Sequence, residues 1–206
     1  QVMSPTCRVL YLFSGPAGLP TGFDHYCSML LADVTMADVR VDPAKFDLAE
    51  DYAWEAIVAD IERGVYDGGL LSPPCSTFTP ARANHLAHEQ GPSMLRGFGL
   101  PHIYGLPGLK GKDKDKVRLG TLLAVRAAQA ARAFHVRGLP WIFETPARWP
   151  EQPSVFELPE VKALDSLSGV TTCSIVQCEL GAVTTKPTEL KGNVSFDQFP
   201  VSCSHS

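Results

Sequence analysis

This sequence predicts an α/β fold: a mostly parallel sheet with helices on both of its faces. Short apolar runs alternate along the chain with helix-forming stretches, the pattern of strands joined by crossover helices. Three of the runs also end alike, each passing abruptly into glycine, proline or an acidic residue. In open α/β sheets ligands bind at the carboxyl ends of strands, so those endings bear on function as well as on fold.

The first strand is read at Val9–Phe13, where the run breaks into Ser14-Gly15-Pro16-Ala17-Gly18. Glycines in such a turn let the backbone come close to a ligand. A helix from about Thr21 to Leu31, a strand near Val34–Val39 and a helix over Tyr52–Gly64 follow. Strand three, Gly68–Ser72, runs into Pro73-Pro74; prolines fix their own φ and hold the residue before them extended. Ala81–Lys116 reads as a long irregular segment rich in Gly, Pro, His and Lys, and loops of that length are functional lids or disordered. Val117–Val136 is alanine-rich, carries arginines along its length and has Gly138 just beyond it, all signs of a helix. Strand four is Trp141–Glu144, and Val155–Ser206 holds a short helix with one or two further strands. Residues 1–206 are expected to form a single domain, with no internal repeat.

The apolar fraction, 45%, is ordinary for a globular protein, and no apolar run approaches a membrane span. Gln1–Thr6 has neither the charged nor the apolar region of a secretory signal. Six scattered cysteines in a domain of this size point to reduced thiols. An intracellular protein is therefore expected, nuclear in a eukaryote and cytoplasmic in a bacterium or phage. The first strand begins almost at once, as in a piece of a longer protein. A formal charge of −4 argues against a broad basic surface. Any grip on nucleic acid must be local, and Lys110, Lys112, Lys114, Lys116 and Arg118, with Arg82 and Arg96 upstream, supply one. That run reads either as a phosphate-contacting flap, in a block spanning 81–118, or as a solvated loop diluted by Asp113 and Asp115.

Ser72-Pro73-Pro74-Cys75-Ser76-Thr77-Phe78 carries the strongest chemical signal. A cysteine held rigidly at a strand end suits a nucleophile, which needs a fixed position and a lowered pKa or a nearby base. A buried inert thiol, the reading given to Cys7 and Cys27, is the alternative. Glu144 ends the next apolar run, before Thr145-Pro146.

Leu12-Phe13-Ser14-Gly15 resembles the first motif of the DNA (cytosine-5)-methyltransferases, which bind S-adenosylmethionine. Ser72-Pro73-Pro74-Cys75, followed by Phe78-Thr79, resembles their catalytic loop, and Phe143-Glu144-Thr145-Pro146 their glutamate motif. Order and approximate spacing agree over roughly the first 150 residues. The resemblance implies a Rossmann-like methyltransferase fold with Cys75 as nucleophile towards C6 of cytosine and Glu144 on the N3/N4 edge of the flipped base. It implies cofactor contacts from Phe13 to adenine, from Ser14, Gly15 and Gly18 to the methionine end, and from Asp38, or Asp42, to the ribose. Asp47 would meet the adenine amino group, and Pro73 would lie on the cofactor side. Substrate contacts fall to Arg82, Arg96, Lys110, Lys112 and Arg148, the last standing in for an arginine-containing motif.

The chain departs from that family in several ways. Tyr11 stands where an aspartate is common and Thr145 where an asparagine is usual, and there is no length for a target-recognition domain. The implied partner is DNA, with single-stranded DNA, RNA or a free nucleotide as alternatives, and an inactive scaffold as the competing class. Retention of both Cys75 and Glu144 argues against the scaffold. Lys186-Pro187-Thr188 reads either as a turn or as an element closing over the site, and Asn193 resembles the family's last motif. Cys178, Cys203 and His205 are zinc-type residues without a standard spacing, and no metal is expected.

Overall fold

The structure, a computed structural model, describes residues 7–19, 22–79, 94–180 and 185–199. Its strands are β1 (Cys7–Leu12), β2 (Ala32–Ala37), β3 (Gly68–Leu71), β4 (Trp141–Pro146), β5 (Thr171–Val176) and β6 (Pro187–Gly192). The helices are α1 (Phe23–Met29), α2 (Pro43–Phe46), α3 (Asp51–Glu62), α4 (Gly111–Val136) and α5 (Pro159–Lys162). One six-stranded sheet takes in every strand in the order β2-β1-β3-β4-β6-β5. The pairings β1–β2, β1–β3 and β3–β4 are parallel, and β6 lies antiparallel to both β4 and β5. This is the mostly parallel α/β arrangement that the sequence predicts. The chain leaves β1 towards β2 and returns to its other side as β3, which puts the topological switch point between β1 and β3.

The pleat sends alternate residues to opposite faces. Leu10, Leu12, Trp141 and Phe143 are buried in the main core with Trp54, Ile57 and Ile61 of α3 and Ala124, Ala127, Ala131 and Phe134 of α4. Small alanines let α4 lie close to the sheet. Gly69 completes the fit, since a Cβ there would sit 2.4 Å from Cε2 of Phe134. The opposite face is thinly covered. Tyr11 meets Phe23 of α1 edge to face at 5.2 Å, but α1 buries no residue.

Two expectations need correction. Helix α4 starts at Gly111 rather than Val117, so Lys112, Lys114, Lys116 and Arg118 lie on a helix and not in an irregular loop. Alternating Lys and Asp are compatible with helix, and Lys116 pairs with Asp113 one turn away. The second correction concerns Asn193, which resembled a site motif. It braces the far end of β4, where its Oδ1 accepts from the Trp141 N–H at 2.8 Å and its Nδ2 donates to the Leu139 carbonyl at 2.9 Å. Among the described residues no helix is long and apolar enough to cross a membrane.

Candidate active site

Register aligns the strand ends. Leu12 pairs with Leu71, and Leu71 with Phe143. Phe13, Ser72 and Glu144 therefore leave one row of the sheet together at its carboxyl edge. The Ser72 N–H still donates to the Leu12 carbonyl at 3.1 Å, which ties the proline loop to the end of β1. Phe13 adopts φ 61°, a left-handed conformation costing a non-glycine residue about 1 kcal/mol or more. The turn is held by the Phe13 N–H donating to the Ala37 carbonyl at 2.9 Å.

Beside the switch point lies a pocket of about 280 Å³, with Phe13, Asp38, Asp47 and Pro74 on its walls. Phe46, Leu48, Leu119 and Leu123 give it an apolar lining. Its volume is just below the range for small-molecule sites, roughly 300–1,000 Å³. Asp38 accepts from the N–H groups of Gly15 at 3.0 Å and Arg40 at 2.9 Å, so the glycine turn and the end of β2 are fastened through one carboxylate. Asp47 accepts from the Ala49 N–H at 3.1 Å. Asp42, the alternative to Asp38, caps α2 instead by accepting from Ala44 and Lys45. Gly18 donates to Asp24 at 2.8 Å, at the entry to α1, and the Ser14 hydroxyl bonds the Gly15 carbonyl at 3.1 Å. Pro73 is buried, and it is Pro74 that faces the pocket.

On the other side stands Cys75, half-buried, with the Phe78 N–H donating back to its carbonyl at 2.8 Å. Burial pushes the thiol up from its ordinary value. Lys186 pulls it down and Glu144 pushes it up. The two charged groups meet directly, Lys186 Nζ lying 3.3 Å from Glu144 Oε1. Lys186 arrives there because β6 runs antiparallel along β4, with Thr188 opposite Pro146 and the Ala147 N–H donating to the Pro187 carbonyl at 3.0 Å. Tyr11 lies among the same groups. Burial pushes its phenol up, the Ser72 hydroxyl works against that, and Glu144, Lys186 and Asp38 all act on it.

One expected substrate contact turns out otherwise, and a second has partners within the chain. Arg96 is wholly buried, and all its partners belong to the chain itself. Arg148 bonds Glu189 through Nε at 3.0 Å and also faces Glu157 at 3.7 Å. Glu189 is buried on β6 and needs a counter-charge, which Arg148 supplies from a side chain that stays 45% exposed. Lys110 and Lys112 remain exposed at the start of α4. Arg82, His85, His88, Cys203 and His205 lie outside the described residues. Tyr11 was missed as a member of the site, and so was the direct contact between Lys186 and Glu144, each of which the sequence had offered separately. Tyr11 had a signal, since it was one of the positions that departed from the pattern of the resemblance.

No protein-family model matches this sequence, and no curated protein does. Among solved structures, the chain is similar to the crystal structure of the S. pombe Dnmt2 methyltransferase, at 13% identity and a TM-score of 0.44. The alignment covers 93% of this chain and 52% of that one, so the chain spans about half its length. At that level of likeness, the side chains decide what the site can do.

Proposed function

We propose that this chain is an S-adenosylmethionine-dependent methyltransferase that modifies C5 of cytosine in DNA through a covalent bond from Cys75 to C6. One observation carries the proposal: a thiol, a carboxylate and an ammonium gather at strand ends beside a pocket lined by Phe13, Asp38 and Asp47.

The pocket suits the cofactor's nucleoside half. An aromatic ring and aliphatic walls accept an adenine, and two carboxylates at the rim accept hydrogen bonds from its hydroxyl and amino groups. S-adenosylmethionine, when bound, supplies the methyl group that the activated C5 takes up. The remaining chemistry belongs to the chain. Cys75 reacts as the thiolate, which the positive charge of Lys186 favours against burial. As sulfur bonds to C6, the C5–C6 π pair moves to C5 and charge spreads over the ring. Glu144 meets the N3/N4 edge and steadies that charge. Loss of the C5 proton and departure of the sulfur restore the ring.

Helix α4 supports a polymeric substrate. Its 26 residues span about 39 Å, against roughly 20 Å for a six-residue strand. Leu119 and Leu123 line the pocket, so the turns before them overhang the site and carry Lys112, Lys114 and Arg118, all exposed.

The test is trapping with 5-fluorocytosine, whose fluorine cannot leave as the proton does. Protein and S-adenosylmethionine are incubated with fluorinated duplex DNA, single-stranded DNA or RNA and examined by intact mass. An adduct on DNA that vanishes in Cys75→Ser supports the proposal. An adduct on RNA alone moves the substrate to RNA. No adduct on any polymer, with cofactor binding intact by calorimetry, favours the scaffold.

A further inference from the structure

We infer that Arg96 is the positioning residue of the Cys75 loop, a buried guanidinium that locks residues 72–79 against helix α4; the inference rests on the proposed reading only for what the thiol then does. Arg96 is 0% exposed. Its Nε donates to Thr77 Oγ1 at 3.0 Å, Nη1 to the Ile103 carbonyl at 2.6 Å and Thr121 Oγ1 at 3.0 Å, and Nη2 to the Val117 carbonyl at 2.7 Å. The guanidinium also lies over the Phe78 ring, 3.7 Å from its centroid.

These contacts join three segments that are distant in sequence. Thr77 and Phe78 belong to the nucleophile loop, and Phe78 is itself bonded back to Cys75. Ile103 sits in the stretch closed by Leu106 donating to the Leu95 carbonyl at 2.9 Å. Val117 and Thr121 belong to α4, whose Leu119 and Leu123 line the neighbouring pocket. Gly120, between them, shows how tight the joint is. A Cβ there would come within 2.9 Å of Thr77 Oγ1 and 3.3 Å of Arg96 Nη2.

A space-filling role does not require this chemistry. Burying a cation among neutral acceptors is costly, and an apolar side chain of similar volume often serves stability as well or better. Burial does push the Arg96 pKa down, to about 10, yet it remains charged at neutral pH. A planar fork can reach four backbone and hydroxyl acceptors on three segments while stacking on a ring, which a lysine cannot do. The geometry is that of a rigid bracket behind the thiol.

The experiment uses the full chain and three variants, Arg96→Lys, Thr77→Val and Gly120→Ala. Thermal melts establish folding and calorimetry measures S-adenosylmethionine affinity. Alkylation of Cys75 by iodoacetamide, located by peptide mass, is followed against pH, and adduct formation with 5-fluorocytosine DNA is timed. In folded variants cofactor affinity is expected within about twofold of wild type, and adduct formation is expected to slow roughly 10- to 100-fold, the scale of a 1 Å misplacement. Alkylation moves the opposite way. A loosened loop hydrates the thiol, so its pH midpoint falls towards the ordinary thiol value and alkylation at neutral pH quickens. Should Arg96→Lys fail to fold, Thr77→Val, which removes a single acceptor, decides. A folded variant with wild-type alkylation midpoint and rate overturns the inference. If wild type forms no adduct while the alkylation contrast holds, the methyltransferase reading falls and the bracket stands.

Discussion

The two halves of the crevice are each braced by a buried arginine, but the bracing differs in kind. On the side of the pocket, Arg126 of α4 donates to the carbonyls of Leu48 at 2.6 Å and Glu50 at 3.2 Å, and it pairs with the carboxylate of Asp51. That partner is 86% exposed, so the pair adds little beyond screened attraction, about 1 kcal/mol or less. On the thiol side, every acceptor found for Arg96 is neutral. A pocket wall has only to stay closed, and two carbonyls and a solvated acid achieve that. A nucleophile must be held to within a fraction of an ångström, and there the chain uses several directional bonds in a dry setting.

The sharpest way to separate the halves is Cys75→Ser. Turnover and adduct should disappear while S-adenosylmethionine affinity stays within about twofold; retained turnover would remove the thiol from the mechanism. The converse is Asp38→Ala, which removes a pocket carboxylate and the anchor of Gly15 and Arg40. Cofactor affinity should fall about tenfold, near 1.4 kcal/mol, with the Cys75 alkylation midpoint unmoved. Loss on both measures would show that the halves are not separable. Lys186→Met tests electrostatics within the thiol half. Lys186 favours the thiolate, so removing its charge raises a thiol pKa that burial already holds above its ordinary value. The alkylation profile should shift to higher pH and the rate at pH 7.5 fall several-fold, since each unit of pKa costs tenfold in thiolate. A shift to lower pH would place the ammonium elsewhere. The smallest effect belongs to Lys112→Gln with Lys114→Gln, expected to weaken DNA binding and reduce its log–log salt slope by about 1.8. An unchanged slope would return this helix face to plain solvation.

The strand ends were legible because the signals there are local. Apolar runs stopped by Ser-Gly, Pro-Pro or Glu-Thr-Pro are visible within a few residues, and the pocket positions Phe13, Asp38 and Asp47 come from the same edge. Arg96 was misread for the opposite reason. An arginine beside glycine looks solvated, and its burial follows only when segments far apart in sequence meet over it. Lys186 and Glu144 are 42 residues apart, brought together by an antiparallel strand entering between β4 and β5, which no local pattern announces. The start of α4 was hidden because seven charges in nine residues, Lys110 to Arg118, two of them acids, resemble a loop as readily as a helix.

That late strand has a consequence for the order in which the protein is made. Among the described pairings β5 is bonded to β6 alone, so residues emerging before Pro187 assemble four parallel strands and leave β5 without a neighbour. Domains emerging from a ribosome begin to organise from the N-terminal side. Cys75 is thus in its loop long before Lys186 arrives to favour its thiolate. Until then the thiol lacks that favouring charge, and the strand that completes the sheet also supplies it.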